Sequence, residues 1–419
     1  MTFHPRRTAA ALAVAGLAAA TLAASIAPAA ADHPAAESPG AAGRGQLVLA
    51  HPLRSLPTAG DVAAELTRDQ FGTGGVRHGV DSYQLVYRTI DPRGRSTLAS
   101  GLLAVPRNAS RELRAVSYTH GTEISRTDAP SFWKETWAVG PALTYASAGF
   151  AAVAPDYLGL GVGPGPHPFL DIPSETTAAV DMLRAAREFL PRTGRALQRQ
   201  VLVTGFSQGA SAAVGLARAL QGGADRWFRL GALAPVAGAY DWRGVELPAL
   251  LDGTVEPPWN VGYLAYFLVS WNRLHHFYHD PAQVFEKQYA GTVEAIFDGL
   301  HSGQEMVGGL PGDLDGLLTE DGLALLTNPT GRLAAAIAAH DRACMDWTPR
   351  VPVRLYVSAG DEQVPAANSE HCLAGLRSRG TGDATIVTLP TFTGYGDSAH
   401  LGANLKAAAE IAAWFRALP

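Results

Sequence analysis

Apolar residues in this chain occur in short continuous runs that alternate with longer segments of helical spacing. The run Val201–Thr204 comes before a helical pattern over Gln208–Leu220, and the run Val351–Ser358 comes before another over Ala366–Leu376. Continuous apolar strands between helices are typical of a parallel sheet that helices cover on both faces. The pattern therefore predicts an α/β fold with a mostly parallel sheet flanked by helices.

A hairpin is predicted upstream of this alternation. Tyr83–Thr89 alternates between apolar and polar residues, Asp91–Gly94 has the composition of a turn, and Thr97–Val105 is the returning strand. The remaining predicted elements are strands at Ala115–Tyr118, Phe150–Ala154, Leu230–Val236 and Thr385–Leu389, and helices at Thr176–Leu190 and Leu401–Leu418.

The alternation stops between Tyr240 and Pro349. The intervening segment is rich in aromatic residues and helix-like runs, and it is too long for a plain loop in a compact domain. We therefore expect three parts after the N-terminus: a flexible Pro/Gly-rich leader over residues 32–45, a core made of residues 46–240 and 350–419, and a helical cap or lid inserted over residues 241–349.

The composition is that of a globular protein and excludes several classes. Hydrophobic residues make up 47% and charged residues 17% of the chain, which rules out a mainly disordered protein. The 33 Lys and Arg residues against 38 Asp and Glu give a net charge of −5, which argues against a nucleic-acid binder. The two Cys residues are too few for a disulfide scaffold or a four-Cys zinc site.

The N-terminus has the layout of a secretory signal peptide. Arg6 and Arg7 come before an Ala/Leu/Val stretch over residues 9–26, and small residues end the segment at Ala31. The stretch falls short of the roughly 20 strongly apolar residues that a membrane anchor needs. We expect residues 1–31 to be removed by cleavage near Ala31, which leaves a secreted protein with no membrane span.

Secretion bears on the two cysteines. An oxidising compartment favours a disulfide between Cys344 and Cys372, which lie 28 positions apart. Closing such a loop contributes about 3 kcal/mol in the chain-entropy model. The alternative is a pair of buried thiols.

The pentapeptide Gly205-Phe206-Ser207-Gln208-Gly209 carries the strongest chemical signal. It follows a predicted strand and opens a predicted helix, which is the setting of a nucleophile elbow. So tight a turn strains the backbone of Ser207, and side chains at Gly205 and Gly209 would clash. The helix N-terminus favours negative charge that develops beside the hydroxyl. These features predict Ser207 as a nucleophile.

A serine nucleophile needs a base, and after an elbow of this type the acid and the histidine follow in that order. Asp361 follows the strand Val351–Ser358, and His400 follows the last predicted strand and its loop. His400 would take the proton of Ser207 and pass it to the leaving group. Asp361 would orient His400 and stabilise its cationic form.

Other residues could compete for these roles. Glu362 adjoins Asp361 but is expected to point elsewhere, and Asp397 is close to the histidine only along the chain. His371, on a predicted helix, and His340, in the insertion, are expected at the surface.

Two backbone N–H groups should form an oxyanion hole. One belongs to Gln208, the residue after the nucleophile. The other should come from the loop that begins at His120, where Gly121 lets the backbone turn towards the site and either Thr122 or Glu123 would donate. His120 itself is expected to pack beneath the loop.

Four segments carry a resemblance to a known family: Ser117–Thr122, Pro155–Gly161, Gly205–Gly209 and Gly360–Pro365. Together they resemble the secretory lipase family of α/β hydrolases, the Candida antarctica lipase A-like group with many bacterial secreted esterases. The resemblance covers most of the chain from about residue 50. It implies an α/β-hydrolase fold with a helical cap, a carboxylic-ester hydrolase activity, and Ser207, Asp361 and His400 as the catalytic triad.

The aromatic run in the expected cap has two interpretations. Tyr263, Tyr266 and Phe267 could line an acyl pocket, or they could form the core of the cap. His275 and His279 have the spacing of a metal-binding pair on a helix, but no HExxH pattern accompanies them and a serine mechanism needs no metal. We expect neither a metal nor an organic cofactor.

These observations favour a secreted serine esterase or triacylglycerol lipase that acts through an acyl-serine intermediate. Its substrate should be an uncharged small-molecule or lipid ester with an apolar acyl part. A secreted peptidase or amidase with the same triad is the alternative, although no recognition site for a peptide is evident. A non-catalytic binding protein of this fold usually lacks a triad residue, whereas this chain has all three candidates.

Overall fold

The computed structural model describes residues 43–107, 110–391 and 397–419. The predicted signal peptide with its cleavage site near Ala31, and the predicted leader up to residue 42, lie outside the described residues. The last leader residues belong to the folded body. The Gly45 N–H donates to the Arg88 carbonyl oxygen (2.8 Å), and the Arg44 guanidinium donates to Asp181 (3.0 Å).

The strands are β1 (Leu47–Leu56), β2 (Val80–Ile90), β3 (Ser96–Pro106), β4 (Glu112–Thr119), β5 (Ala151–Pro155), β6 (Ala196–Phe206), β7 (Arg229–Val236), β8 (Val353–Ser358) and β9 (Ala384–Leu389). Among the described residues they form one sheet in the order β1-β2-β3-β5-β4-β6-β7-β8-β9. The strands from β4 to β9 pair in parallel, whereas β1, β2, β3 and β5 pair antiparallel in that sequence. The sheet is thus mostly parallel, with an antiparallel hairpin where the sequence predicts one.

The helices are α1 (Ala59–Arg68), α2 (Thr136–Ser147), α3 (Ile172–Phe189), α4 (Gln208–Gln221), α5 (Leu247–Leu251), α6 (Trp259–His275), α7 (Lys287–Ala290), α8 (Val293–Ile296), α9 (Gly303–Gly309), α10 (Leu314–Leu317), α11 (Glu320–Thr327), α12 (Gly331–Met345), α13 (Ala367–Ser378) and α14 (Ala399–Ala417). No helix among the described residues combines the length and the apolar character that crossing a bilayer requires.

Helices cover both faces of the sheet, because the residues of its central strands alternate between two buried layers. On β3, Leu103 and Val105 pack in the layer that contains α3 and α4. Their neighbours Leu102 and Ala104 pack in the opposite layer with α2 and α14. With both faces covered, the parallel strands end at one buried edge, and the loops that leave this edge meet there.

Helices α3 and α4 approach each other closely in the middle of α4. A Cβ on Gly215 would overlap the side chains of Ile172 and Thr176, so only glycine fits at this crossing. The first turn of α3 is capped by Asp171, whose carboxylate accepts from the Ser174 N–H (3.1 Å).

The segment between β7 and β8, which we call the insertion (residues 241–349), contains helices α5 to α12. Its buried cluster includes Trp271 of α6 together with residues of three core loops, Ile124, Phe169 and Val364. The insertion therefore packs on the loops at the carboxyl edge of the sheet.

Three elements are absent from the sequence prediction. Strand β1 is an edge strand with mostly exposed side chains, and its apolar run Leu47–Ala50 is short and soon followed by Pro52. Helix α1 is short, although Thr58 and Asp61 form a capping box at its start. Helix α2 contains Pro141 and is buried on all sides, so it lacks the apolar stripe that marks a surface helix.

Cys344 of α12 and Cys372 of α13 are joined by a disulfide. This bond ties the end of the insertion to the helix that follows β8. We expect the double variant Cys344→Ala, Cys372→Ala to lose about 3 kcal/mol in free energy of unfolding, because the unfolded chain regains the freedom of the closed loop. Urea unfolding of the variant is compared with that of the oxidised wild type, and the wild type with reductant should unfold like the variant. A variant curve that coincides with that of the oxidised wild type would contradict the prediction.

Candidate active site

Ser207 lies at the turn between β6 and α4 with a backbone conformation that side-chain-bearing residues rarely adopt. Its φ is 56° and its ψ is −123°, a strained region that persists only where the surroundings impose it. The Ser207 N–H donates to the Val236 carbonyl oxygen of β7 (2.9 Å). The turn places the serine hydroxyl at the carboxyl edge of the sheet.

Gly205 and Gly209 leave the room that this turn needs. A Cβ on Gly205 would overlap the carbonyl oxygen of Gly209, and a Cβ on Gly209 would overlap the carbonyl oxygens of Thr119 and His120. Main-chain atoms cannot move aside as the end of a flexible side chain can. Only glycine fits at either position, because β6, α4 and the loop after β4 approach one another so closely.

Three side chains from separate loops meet at the turn. Ser207 Oγ lies 2.9 Å from His400 Nε2, and His400 Nδ1 lies 3.0 Å from both carboxylate oxygens of Asp361. The side chains of His400 and Asp361 are 1% and 3% exposed. An ionised carboxylate only accepts, so the ring carries its proton on Nδ1 and Nε2 is free to accept the serine proton. This is the geometry of a Ser-His-Asp triad.

Asp361 is oriented by the main chain that follows it. Its Oδ1 accepts from the N–H groups of Gln363 (3.0 Å) and Val364 (2.8 Å). The carboxylate therefore presents both oxygens to the ring of His400 without relying on any other side chain.

Glu362, the neighbouring carboxylate, binds the main chain of His400 rather than its ring. Its Oε2 accepts from the His400 N–H (3.1 Å), and its Oε1 accepts from the Ser398 hydroxyl and the Gln363 amide (3.0 Å to Gln363). Burial opposes ionisation, but the hydrogen bonds from Ser398, Gln363 and His400 outweigh it and lower the pKa of Glu362. Glu362 therefore does not compete with Asp361 for the imidazole.

The other rivals stand away from the triad contacts. Asp397 adopts a left-handed conformation (φ 63°) in the turn before α14, and His371 is exposed. The expectation that His340 lies at the surface is wrong, since it is only 6% exposed. His340 lies on the inward face of α12, three residues after the buried Ile337 and packed against Trp242 of the insertion.

The residues expected to form the oxyanion hole flank the serine. Gln208 opens α4, so its N–H has no acceptor within the helix. The loop after β4 is brought against the elbow at Gly121, where a Cβ would lie 3.0 Å from the Phe206 ring. Thr122 and Glu123 follow directly, and both remain candidates for the second donor.

His120 supports this loop from beneath. Its ring is buried, packs 4.3 Å from the Tyr157 ring centre, and has Nδ1 2.8 Å from the Gly121 carbonyl oxygen. Burial lowers the pKa of His120 to about 4. The ring is therefore neutral near pH 7 and structural, as expected from the sequence.

The side chain of Gln208 is held in a buried polar cluster that sequence reasoning missed. Its Nε2 donates to Glu175 Oε1 (2.6 Å) and to His167 Nε2 (2.8 Å). His167 Nδ1 faces the Leu158 carbonyl oxygen (2.9 Å), which only accepts, so the proton of this ring is on Nδ1. Burial lowers the pKa of His167 to about 3 and raises that of Glu175 to about 8. The cluster fixes the residue directly after the serine.

Asp156 anchors the Pro155–Gly161 segment beside the site. Its carboxylate accepts from the Ser131 N–H (2.9 Å) and from the hydroxyls of Ser100 and Ser131 (2.5 Å each). Burial raises the pKa of Asp156 to about 6. The loop after β5 is thereby tied to β3 and to the segment before α2.

Two of the three aromatic candidates of the insertion touch the loops of the site through their hydroxyls. Tyr263 donates to Gln363 Oε1 (2.5 Å), and Tyr266 donates to the Glu123 carbonyl oxygen (3.3 Å). Phe267 differs from both, because it is fully buried with its ring centre 4.5 Å from that of Trp242. Of the two interpretations left open for Phe267, the core of the insertion fits its position.

The histidines after α6 do not form a helical pair. His275 is the last residue of α6, and His276 reverses the chain with a φ of 52°, so His279 does not share a helix face with His275. In the part of the chain that the structure describes, no group of three or more His, Cys, Asp or Glu side chains is placed to hold a metal ion.

Solved structures resemble this chain over most of its length. The rice cell wall degrading esterase LipA from Xanthomonas oryzae has a TM-score of 0.78 at 26% sequence identity, covering 90% of this chain and 98% of that one. A putative hydrolase from Legionella pneumophila has a TM-score of 0.78 at 25% identity, covering 88% and 98%. No protein-family model matches the chain, and a search of the curated proteins finds no similar one.

Candida antarctica lipase A in its closed state is more distant. It has a TM-score of 0.57 at 17% identity and covers 83% of this chain and 77% of its own, which shows a shared fold alone. The α/β-hydrolase fold expected from the sequence is confirmed, and the structural neighbours include a named esterase and a named lipase.

The close packing at the elbow allows a prediction about Gly209. We expect Gly209→Ala to lower the free energy of unfolding by more than about 3 kcal/mol, because its Cβ meets main-chain oxygens that cannot retreat. The matched control is Gly308→Ala in α9, where a Cβ meets nothing within 4 Å. Urea unfolding of both variants is the measurement, and equal effects would contradict the steric argument.

The buried Glu175 allows a prediction about how the free energy of unfolding depends on pH. Burial raises the pKa of Glu175 from its ordinary value of 4.5 to about 8 in the folded protein, so the folded protein retains a proton that the unfolded chain releases. The free energy of unfolding should therefore fall as pH rises through this window. We expect Glu175→Gln to lose less stability than the wild type between about pH 5 and about pH 9 in urea titrations. Parallel pH dependence would contradict this.

Proposed function

We propose that this chain, an α/β hydrolase of the lipase and esterase family, hydrolyses carboxylic esters with Ser207 as nucleophile. His400 would serve as general base and acid, and Asp361 would orient it. The observation that carries the proposal is the hydrogen-bonded chain from the Ser207 hydroxyl through His400 to Asp361. The similarity to the Xanthomonas oryzae esterase supports ester hydrolysis as the reaction.

The first half of the reaction transfers the acyl group to the serine. His400 Nε2 accepts the Ser207 proton while Oγ attacks the acyl carbon, and the oxyanion is met by the Gln208 N–H and by a second N–H from Thr122 or Glu123. His400 then protonates the leaving alkoxide, and the alcohol departs. In the second half His400 deprotonates a water molecule, which attacks the acyl carbon. The bond between that carbon and Ser207 Oγ then breaks, His400 returns the proton to Oγ, and the carboxylic acid departs.

The surroundings of the triad favour an uncharged substrate with an apolar acyl part. Tyr263 and Tyr266 border the loops that carry the site. Burial raises the pKa of Glu123 well above its usual value, which favours the uncharged form of that carboxyl. These features support esters of aliphatic acids over charged esters.

We also propose that the protein is secreted after removal of residues 1–31. The Cys344–Cys372 disulfide supports a destination in an oxidising compartment. A mature N-terminus at residue 32 in culture medium, read by mass spectrometry, would agree with this proposal, and an intact residue 1 would contradict it.

The proposal predicts that Ser207→Ala loses at least about 10³-fold in kcat on p-nitrophenyl esters from acetyl to palmitoyl, because the attacking oxygen is gone. The control is Ser211→Ala, one turn along α4, whose hydroxyl donates to the Ala239 carbonyl oxygen (3.0 Å) away from the triad contacts. We expect this control to keep its kcat.

The profile across acyl lengths separates an esterase from a lipase. Release of carboxylic acid from rice cell wall material is a second assay, suggested by the substrate named for the Xanthomonas oryzae neighbour. Unchanged activity of Ser207→Ala would overturn the nucleophile. Activity confined to peptide anilides would favour the peptidase alternative.

A further inference from the structure

We propose that Glu362, Gln363 and Tyr263 form a positioning relay that holds His400 by its main chain while Asp361 holds it by its ring. The inference rests on the proposed function and adds residues to it. None of the three touches a reacting atom of the triad, so each would act through His400.

The histidine is held at two points by adjacent carboxylates. Asp361 binds Nδ1 of the ring, and Glu362 Oε2 accepts from the His400 N–H (3.1 Å). His400 is the second residue of α14, and the N–H groups of a first helical turn have no acceptor within the helix. Ser398 caps the next of these groups, since its Oγ accepts from the Leu401 N–H (3.1 Å).

Glu362 also holds the cap itself, because its Oε1 accepts from the Ser398 hydroxyl. A carboxylate at a helix N-terminus is favoured by the helix dipole as well as by its hydrogen bonds. One side chain thus fixes both Ser398 and the main chain of His400, and with them the point from which the imidazole extends towards Ser207.

Gln363 must present a particular end of its amide to Glu362. The carboxylate only accepts, so the amide nitrogen faces it (3.0 Å) and the amide oxygen faces the other way. Gln363 is 1% exposed, so a reversed amide would turn its oxygen towards the carboxylate with little water to screen the repulsion.

Tyr263 supplies the donor that this orientation needs. Its hydroxyl donates to Gln363 Oε1 (2.5 Å), which is possible only while the oxygen points away from Glu362. Tyr263 lies on α6 of the insertion, whereas Glu362 and Gln363 lie in the loop after β8. A hydroxyl of the insertion therefore sets the position of the histidine through two side chains of the core.

The test begins with Tyr263→Phe, which removes only the hydroxyl. We expect kcat on p-nitrophenyl butyrate to fall about tenfold, the scale of one hydrogen bond, with KM changing by less than about twofold. The rate constant for phosphorylation of Ser207 by paraoxon, followed by mass spectrometry, should fall by the same factor because it needs the same serine and histidine.

The matched control is Tyr240→Phe, which removes a buried hydroxyl that makes no hydrogen bond within the described residues. We expect its kcat to equal that of the wild type. Thermal unfolding of both variants separates positioning from a general loss of stability, since Tyr263→Phe should lower kcat at temperatures where both are fully folded.

Glu362→Gln tests the far end of the relay. It keeps the size of the side chain but replaces one acceptor oxygen by a donor, so we expect kcat to fall about 30-fold. If the two residues act along one path, the double variant with Tyr263→Phe should be no slower than Glu362→Gln alone. Independent action would instead multiply the two factors.

The outcomes distinguish this inference from the proposed function. Failure of Ser207 to react with paraoxon in the wild type would overturn the proposed function and the relay with it. The relay alone is overturned if Ser207 reacts equally fast in the wild type and in Tyr263→Phe. It is also overturned if the two substitutions multiply. The Tyr263→Phe result stands by itself if Glu362→Gln does not fold.

Discussion

The strained backbone of Ser207 constrains the elements around it. A positive φ at a serine persists only when neighbouring structure leaves no alternative, and here each neighbour contributes. β7 accepts the serine N–H, the loop after β4 fills the space that two glycines leave, and α3 places Glu175 against the side chain of Gln208. The central sheet thus supports the turn at Ser207. The hydroxyl of Ser207 then lies within hydrogen-bonding distance of His400.

Helix α6 of the insertion contacts the loops that carry the site. Tyr263, Tyr266 and Ser270 follow one another at the spacing i, i+3, i+7, which places them on one face of the helix. Each binds a different loop: Tyr263 the loop of the acid, Tyr266 the loop after β4, and Ser270 the segment at Phe169, whose N–H it accepts (2.8 Å). That segment also carries His167, which orients Gln208. One helix face thus contacts three of the loops around the triad and the expected oxyanion hole.

The sequence predicts those parts of the molecule whose residue types are forced locally. Buried strands such as β6 show as apolar runs, and the elbow shows because its glycines have no substitute. Edge strand β1 shows only the short apolar run Leu47–Ala50 because most of its side chains are exposed. Helix α2 lacks an apolar stripe because it is buried on every side. The sequence does not indicate roles for Glu175 and His167, because they lie 33 and 41 positions from Gln208 along the chain. They contact Gln208 only in the folded structure. A glutamate on a helix looks like any surface residue until its neighbours are known, and His340 shows the same error for a histidine.

The contacts of α6 limit how proteins of this architecture can exchange parts. A chimera that took its insertion from a structural neighbour would lose the hydrogen bonds of Tyr263, Tyr266 and Ser270 to the host loops unless the donor helix carried matching side chains at the same spacing. Recombination at the ends of β7 and β8 would therefore alter turnover together with substrate range. As the insertion diverges among proteins of this architecture, we expect replacements at Tyr263 to occur together with replacements at Gln363. Replacements at Ser270 should likewise occur together with changes in the loop that it contacts.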